Sequence, residues 1–346
     1  MGFCRNMRPT TKDLAEAAGV SLATVDRVLN GRAGVRARTV ETVMQAIQKI
    51  GFERNHVAAT LARRRGYRFG FVLPRDGDEY LHEIIDKIRE TGETGRGEML
   101  EIKALRVDDH DPHETARALG ALRAEDLDGV AIMAPETPPI RDAIRRLRER
   151  GVHTVAFISD QQDEDPQSFV GIDNRAAGRT VGHLIGRFIG QRPGTIAVIT
   201  DTMQARDSLE RRLGLDAFIN RTFPQLRVLP TLETHGDRAR TFDVVRTILA
   251  HHRDLEGFYI MGSEARVPLE ALAAHGPRAA PVAIAHERTP ATVAALRAGL
   301  LDAVVTQDPG HLVRSAVRIL RAKCENRAIV ASQERIRIEI LIEENL

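Results

Sequence analysis

The stretch LATVDRVLN, residues 22–30, carries side chains whose types and spacing suit contact with the edges of base pairs. Its apolar residues Val25, Val28 and Leu29 recur at helical spacing, which predicts a helix with one buried face. The side chains left on the outer face or its edge are those of Leu22, Ala23, Asp26 and Arg27. A guanidinium can donate two hydrogen bonds to guanine, apolar side chains can contact the thymine methyl group, and a carboxylate can accept from the amino group of cytosine. The predicted helix could therefore read double-stranded DNA from the major groove.

Three short helices are predicted to position this face, and each has a start signal. Thr10 or Thr11 can cap the first helix, and Ser21 and Thr39 can cap the second and third, because a hydroxyl accepts a hydrogen bond from the first turn. Gly19 can end the first helix in the left-handed conformation. The turn AGV joins the first two helices, which is the layout of a helix-turn-helix. The N–H groups at the start of the second and third helices are suited to binding phosphate.

Charge is divided unevenly along the 346 residues. Residues 1–66 carry twelve Lys and Arg against five Asp and Glu, a net charge of +7. The whole chain has 50 basic and 48 acidic residues, so residues 67–346 carry a net charge of −5. A basic head before a mildly acidic body predicts a polyanionic partner for the head alone.

Short β-branched runs alternate with amphipathic helical stretches from residue 67 onward. The predicted strands span residues 67–73, 99–107, 129–134, 152–159, 169–173, 195–200, 227–233, 257–261, 281–286 and 303–307. Strands separated by helices predict parallel sheets with helices on both faces, and this many strands predict two α/β lobes. Their strand ends should face a shared cleft, where open α/β sheets bind ligands. The alternating tail, residues 335–346, predicts one further strand.

A stripe of glycines lies in the segment GRTVGHLIGRFIG, in which Gly178, Gly182, Gly186 and Gly190 recur every four residues. On a helix they form one smooth side that permits close approach of another backbone. In a membrane such a stripe pairs helices. Because the flanking residues are polar, we expect this helix to pack closely on a sheet instead.

Composition and missing motifs exclude several classes of protein. No apolar run approaches the roughly 20 residues that a membrane helix needs, and the N-terminus lacks the apolar stretch of a secretory signal. The two cysteines, Cys4 and Cys324, do not make a disulfide framework, so a reducing cytoplasm without membrane contact is expected. The chain has no Walker loop and no GxGxxG, HExxH or GxSxG motif. We therefore expect no enzyme activity, no cofactor and no metal.

The segment TTKDLAEAAGVSLATVDRVLNGRAGVRARTVETVMQAIQKIGF resembles the head of the lactose-repressor/galactose-repressor family of transcription regulators, above all in the pattern AGVSxxTVxRVLNG. The resemblance implies a helix-turn-helix DNA-binding domain over residues 1–54 and a hinge helix or linker over residues 55–66. In this family a hinge leucine, matched here by Leu61 beside Ala58, wedges into the minor groove at the operator centre. The residues expected to contact DNA are Thr10, Thr11, Ser21, Leu22, Ala23, Thr24, Asp26, Arg27, Asn30, Asn55, Ala58 and Leu61.

Two positions depart from the family pattern. Asp26 stands where serine is usual, and its carboxylate either alters the choice of operator or serves as a cap or a partner of Arg27. Arg54 stands where proline is usual, at the entry to the hinge segment. The other interpretation of residues 52–66 is an amphipathic linker helix.

Residues 67–346 resemble the type I periplasmic-binding-protein fold, with which these regulators sense small molecules. The resemblance implies a first lobe of about 67–168 and 305–334 and a second lobe of about 169–304 and 335–346. By position, the expected effector-binding residues are Asp78, Tyr80, Asp160, Asp173, Arg206, Arg211, Glu287 and Gln307. Arg206 and Arg211 compete for one place in the pattern. Acids and amides that accept from hydroxyl groups, together with an arginine, suit a neutral sugar or polyol.

These observations predict a transcriptional regulator, a repressor, that binds double-stranded, near-palindromic operator DNA as a homodimer under control of a small effector in the cleft. Whether the effector releases the DNA or is needed to hold it stays open. One alternative is a solute-binding protein for transport, which would need export and would not need the basic head. The other is a sugar-modifying α/β enzyme fused to a DNA-binding head, which would need an activated nucleophile or a metal in the cleft.

Overall fold

The computed structural model describes residues 9–29, 34–52, 66–108, 111–161, 168–274 and 281–346. The chain divides into two compact units, Met1–Gly66 and Tyr67–Leu346. Each unit buries its own hydrophobic side chains, so each is described by itself.

The described part of the N-terminal unit consists of helices α1 (Thr11–Ala18), α2 (Leu22–Leu29) and α3 (Ala37–Ile50). Gly19 ends α1 with a φ of 64°, in the left-handed region, so that α2 begins after a short turn. The helices close a small core with one apolar side of each. Its buried members are Leu14, Ala15, Ala18, Val25, Val43, Ala46 and Phe52.

Side-chain caps start the first two helices as the sequence predicts. Thr10 rather than Thr11 caps α1, where its hydroxyl accepts from the Asp13 N–H and the Asp13 carboxylate accepts from the Thr10 N–H in return. The Ser21 hydroxyl accepts from the Thr24 N–H at 3.1 Å. The predicted Thr39 cap is wrong, because α3 already begins at Ala37 after a residue that provides no side-chain cap.

The first lobe of the second unit is built on a parallel sheet, which within the described residues has the strand order β2-β1-β3-β4-β5. Its strands are β1 (Tyr67–Pro74), β2 (Leu100–Val107), β3 (Gly129–Ile132), β4 (His153–Phe157) and β5 (Phe169–Val170). The helices that follow these strands are α4 (Glu79–Thr94), with a 3-10 turn at Gly95–Glu98, α5 (Pro112–Ala121), α6 (Pro138–Glu149) and α7 (Asn174–Ile189). The first three pack on this sheet, whereas α7 packs in the second lobe.

The second lobe contains the order β12-β11-β10-β9-β6-β7 in its described part, with β8 also paired to β6. Its strands are β6 (Gly194–Thr200), β7 (Leu226–Val228), β8 (Leu232–Glu233), β9 (Leu255–Ile260), β10 (Val282–His286), β11 (Ala303–Thr306) and β12 (Glu339–Leu341). The remaining helices are α8 (Arg206–Thr222), α9 (Arg238–His251), α10 (Arg266–Ala273), α11 (Pro290–Arg297), α12 (Pro309–Glu325) and α13 (Ala331–Glu334), before a 3-10 turn at Glu343–Asn345. After β11 the chain returns to pack α12 on the first sheet, and it then adds β12 antiparallel to β11. The predicted pair of parallel α/β lobes is confirmed.

Some strands are shorter than predicted. The run 227–233 is divided into β7 and β8, with Pro230 between them, because proline has no N–H to donate to a neighbouring strand. The strand predicted at 169–173 is reduced to β5, which pairs with β4 in the first sheet although the expected first lobe ends at residue 168. The tail pairs only at β12.

Helix α7 does contact β9, β10 and β11 of the second sheet, but its glycine stripe packs against helix α8, so the expected close approach to a sheet is wrong for the stripe itself. A Cβ added to Gly178 would overlap the carbonyl oxygen of Arg211, and one added to Gly214 would overlap that of Arg175. The backbones of the two helices are therefore in near contact, which only residues without a side chain permit. Gly190 follows α7 at its C-cap and does not take part in this contact.

In the part of the chain that the structure describes, no helix combines the length and the apolar character needed to cross a membrane.

Candidate DNA-binding face and effector cleft

The outer side of α2 presents the side chains that the sequence assigns to it. Val25 is fully buried, whereas Ala23, Asp26 and Arg27 are exposed and Leu22 keeps 48% of its surface accessible. A half-open apolar side chain on a short helix that also exposes an arginine suits contact with another molecule. Contact of these residues with DNA stays a prediction.

Hydroxyl groups lie at the N-termini of α1 and α2. Thr10 caps α1, Thr11 is the first residue of that helix, and Ser21 Oγ lies 2.9 Å from Thr24 Oγ1 at the start of α2. N-terminal N–H groups and hydroxyls together can donate to phosphate oxygens. The other predicted DNA contacts, Asn30, Asn55, Ala58 and Leu61, lie outside the described residues.

Arg211 is the centre of a buried polar cluster in the second unit. It projects from α8 with 3% of its surface exposed. Its Nε donates to Asn174 Oδ1 at 2.9 Å and its Nη1 donates to the carbonyl of Met261 at 3.0 Å. Its Nη2 lies 3.6 Å from Glu287 Oε1 and 3.7 Å from Asp207 Oδ2. The guanidinium is thus fixed in place by two neutral acceptors and shared between two acids.

Glu287 directly follows β10 and is 1% exposed. Its carboxylate accepts from the Thr306 hydroxyl at 3.1 Å and from Gln307 Nε2 at 3.2 Å. Burial raises the pKa of Glu287 to about 7, although Arg211 and the two hydrogen bonds act in the opposite direction. Its φ of 63° lies in the left-handed region, which is costly for a residue with a side chain.

Tyr80 reaches this cluster from helix α4 of the first lobe. It is 3% exposed, and burial followed by the charge of Glu287 raises the pKa of its hydroxyl well above the usual value. The Tyr80 hydroxyl and Gln307 Oε1 have no hydrogen-bond partner among the described residues. Tyr80, Arg211, Glu287 and Gln307 therefore lie together where the lobes meet, with polar atoms that a ligand could satisfy. Their contact with an effector stays a prediction.

Arg206 belongs to a different group, at another point where the lobes meet. Its guanidinium donates to Glu136 of the first lobe at 2.7 Å and to Glu210 at 3.1 Å. Asp160 lies close enough for its charge to act on Arg206. A second bridge joins the lobes where Glu79 accepts from the N–H of Ala291 at 3.1 Å.

The two remaining candidates cap helices. Asp78 accepts from the N–H of Leu81 at 2.9 Å, and its charge acts on both Tyr80 and Glu287. Asp173 accepts from the N–H of Ala176 at 2.8 Å, and its side chain is 65% exposed. Asp78 therefore lies beside the buried cluster, whereas the capping role and exposure of Asp173 give it no contact with the cluster in the described structure.

Comparison with known families agrees with this division of the chain. The model of the periplasmic binding protein domain matches residues 69–328, which is most of the chain. The model of the lacI family of bacterial regulatory proteins matches residues 10–55. The chain belongs to the periplasmic-binding-protein domain family and carries a lacI-family domain. The resemblance seen in the sequence is thereby confirmed.

Curated relatives of this chain are transcription regulators by name. It is 31% identical to the HTH-type transcriptional regulator RegA of Clostridium acetobutylicum over 182 residues, and this aligned stretch makes up 52% of each chain. It is 28% identical over 180 residues to the HTH-type transcriptional repressor PurR of Mannheimia succiniciproducens, which is 52% of this chain and 51% of PurR. The chain spans about half the length of the curated relatives it matches.

Solved structures share the fold of the second unit. An ABC transporter solute-binding protein of Burkholderia graminis in complex with D-arabinose superposes with a TM-score of 0.70 at 20% identity, over 81% of this chain and 96% of that one. GanP, a glucose-galactose binding protein of Geobacillus stearothermophilus, superposes with a TM-score of 0.70 at 18% identity, over 82% of this chain and 99% of that one. At these identities the likeness shows the fold alone.

Several members of the cluster were not among the residues predicted from the sequence. Asn174 follows the predicted Asp173 by one position, and Asp207 lies one turn before Arg211 on α8. Either could have been found by asking which side chains share a helix face or turn with a candidate. His286 lies within β10, is fully buried and has a tilted ring contact with Tyr259, and burial lowers its pKa well below the usual value. It reads in sequence as one residue of a buried strand, so no signal separates it from the core.

Replacing Glu287 by glutamine should stabilise the unliganded protein in a pH-dependent way. The carboxyl has a reference pKa of 4.5 and a pKa of about 7 when folded, so the folded state holds its proton more firmly. The stability that this proton gives is fully present below pH 4.5 and is lost as the pH rises through 7, where an ion must be buried. Glu287→Gln should therefore be more stable than the wild type at pH 8 by up to about 3 kcal/mol, and by less than about 1 kcal/mol at pH 5.

Urea unfolding at the two pH values measures this difference. The control is Glu256→Gln, in β9, where the native carboxylate forms a surface ion pair with Arg192 at 3.1 Å. That variant should show no gain at pH 8. An equal effect of Glu287→Gln at both pH values would mean that Glu287 is not a buried acid.

Proposed function

We propose that the protein is a transcriptional repressor whose affinity for operator DNA is set by a small sugar-like or polyol effector bound between the lobes. The observation that carries this proposal is that one chain joins the exposed α2 face of a lacI-family unit to a buried polar cluster between two binding-protein lobes. The net charge of +7 on residues 1–66 supports a DNA partner for that unit.

Operator reading is proposed to need two copies of the chain. A homodimer presents two α2 helices to the half-sites of a near-palindromic duplex, because protein and operator then share a two-fold axis. The segment 55–66 connects the two units along the chain, and Ala58 and Leu61 are proposed to enter the minor groove there. We place this activity in the cytoplasm, where the operator is.

The effector is proposed to bind among Tyr80, Arg211, Glu287 and Gln307. These residues provide a fixed guanidinium, a carboxylate, an amide oxygen and a hydroxyl, which together suit a ligand with several hydroxyl groups. They also come from both lobes, so a ligand that contacts all of them favours one position of the lobes over others. Such a differential affinity is what coupling to DNA binding requires.

Arg27→Ala should separate specific from non-specific DNA binding. If Arg27 pairs with guanine, its loss should weaken binding to a selected operator by about tenfold or more, corresponding to 1–3 kcal/mol, and should weaken binding to random duplex much less. Gel-shift titrations with both duplexes measure the two affinities. Arg89→Ala is the control, since this exposed arginine lies on α4 of the body and pairs with Asp86. Equal losses of affinity for the two duplexes would indicate that Arg27 contacts phosphate and not a base.

A further inference from the structure

We propose that the effector of this cleft carries a positively charged amine, as an amino sugar or amino polyol does, rather than being a neutral sugar or a sugar acid. This inference rests on the effector-controlled function proposed above. It assigns the charge of the ligand from the charges of the side chains in the cleft.

Acidic side chains follow the strands at the ends that face the cleft. Asp78 comes after β1, Glu264 after β9 and Glu287 after β10, and the carboxyl ends of parallel strands lie at one edge of each sheet. The charge of Asp78, in the first lobe, acts on both Glu264 and Glu287 of the second lobe. The two lobes therefore present acids to each other.

Arg211 does not balance these acids. It is the buried arginine of the cluster, and its Nη2 is shared between Asp207 and Glu287 at 3.7 and 3.6 Å. Its other nitrogens donate to Asn174 and to the Met261 carbonyl, so the guanidinium is already engaged. Among the described residues no second buried cation lies with Asp78 and Glu264, although Glu264 accepts from the N–H groups of Arg266 and Val267 and is acted on by the exposed Arg266.

Among the unsatisfied polar atoms of the cluster, one can be satisfied by a donor alone. Gln307 Oε1, on a side chain that is 1% exposed, can only accept a hydrogen bond, and in the described structure nothing donates to it. The Tyr80 hydroxyl, on a side chain that is 3% exposed, is also without a partner there. An ammonium group has three donors and no acceptor, so its chemistry matches acceptors such as Gln307 Oε1, the Glu287 carboxylate and the Tyr80 hydroxyl oxygen.

The titration of the acids agrees with this geometry. Burial raises the pKa of Glu264 and the charge of Asp78 adds to this, whereas the N–H of Val267 and the charge and N–H of Arg266 lower it. Burial likewise raises the pKa of Glu287 against Arg211, Gln307 and Thr306, and Asp78 again adds to the rise. A cation placed among them stabilises the ionised carboxylates, a neutral ligand leaves them as they are, and an anion adds a further repulsion.

The test uses the full-length protein and a metabolite extract of the cells that make it, divided by ion exchange into cation-retained, anion-retained and unretained fractions. Each fraction is scored by the rise it causes in the thermal unfolding midpoint and by its effect on binding to the selected operator. Glucosamine and glucose, and glucamine and glucitol, serve as matched pure probes. We expect the activity in the cation-retained fraction, and we expect N-acetylation of that fraction to remove it.

Glu287→Gln should raise by at least tenfold the concentration of the active fraction that is needed for half of its effect on operator binding. Glu256→Gln should not change that concentration. Activity in the unretained or anion-retained fraction, or activity that survives N-acetylation, would overturn the amine and leave effector control standing. No response to any fraction would overturn effector control itself, and the preference for operator over random DNA would show separately whether the regulator function stands.

Discussion

A protein that begins at Tyr67 should show no specific binding to duplex DNA and should still unfold cooperatively and bind its effector. The chain divides into compact units at Gly66, and hydrogen bonds within the second unit complete its first strand, where the N–H of Tyr67 donates to the Met99 carbonyl at 2.9 Å. Residues 67–346 carry a net charge of −5, so the phosphate backbone of DNA should repel the truncated protein. The truncated protein should show no specific DNA binding at any salt concentration at which the full-length protein still binds DNA specifically.

Gel shifts and calorimetric ligand titration on the same preparation measure both halves of this result. The full-length protein is the control for both. Specific DNA binding by the truncated protein would mean that the DNA-binding face does not lie in residues 1–66. Loss of effector binding from a truncated protein that is still folded would contradict the division of roles.

Gly178→Ala should destabilise the protein by about 3 kcal/mol, at the upper end of what overpacking usually costs. The added Cβ would overlap the backbone carbonyl oxygen of Arg211, and a backbone cannot turn aside as a flexible side chain can. Helices α7 and α8 must then move apart along a contact in which Gly214 is equally close to Arg175. Because α8 carries Arg211, the same movement should also weaken effector binding.

Gly120→Ala is the matched control for this substitution. Gly120 lies in helix α5, and a Cβ there would have no heavy atom within 4 Å. Alanine favours a helix over glycine by up to about 1 kcal/mol, so this variant should be slightly more stable than the wild type. Urea unfolding followed by circular dichroism distinguishes the two variants. If Gly178→Ala is as harmless as Gly120→Ala, the close approach of α7 and α8 is not real.

Local signals made the N-terminal unit the most predictable part of the fold. The stop at Gly19 and the caps at Thr10 and Ser21 each depend on a residue and its next few neighbours, and all three are found where the sequence places them. The start of α3 was missed because Ala37 follows a residue with no side-chain cap, so no signal marks it. The partner of the glycine stripe was also missed, because the stripe predicts a close approach without saying which element approaches.

The candidate site shows the same limit. Arg206 and Arg211 are equivalent by sequence, but five positions separate them by about 140° around a helix, so they cannot face the same site. The structure buries Arg211 among Asn174 and Glu287 and turns Arg206 to Glu136. The left-handed backbone of Glu287 and the missing partner of Gln307 Oε1 depend on contacts made across the fold, which no local pattern records.

The central claim is that the N-terminal unit reads duplex DNA while the two-lobed unit governs when it does so. Selection from a pool of random duplexes by the full-length protein, with and without cell metabolites, tests it most directly. The account predicts enrichment of a near-palindromic sequence that is bound at least about a thousandfold more tightly than random competitor in one of the two conditions. Equal binding to selected and random duplexes in both conditions would contradict it.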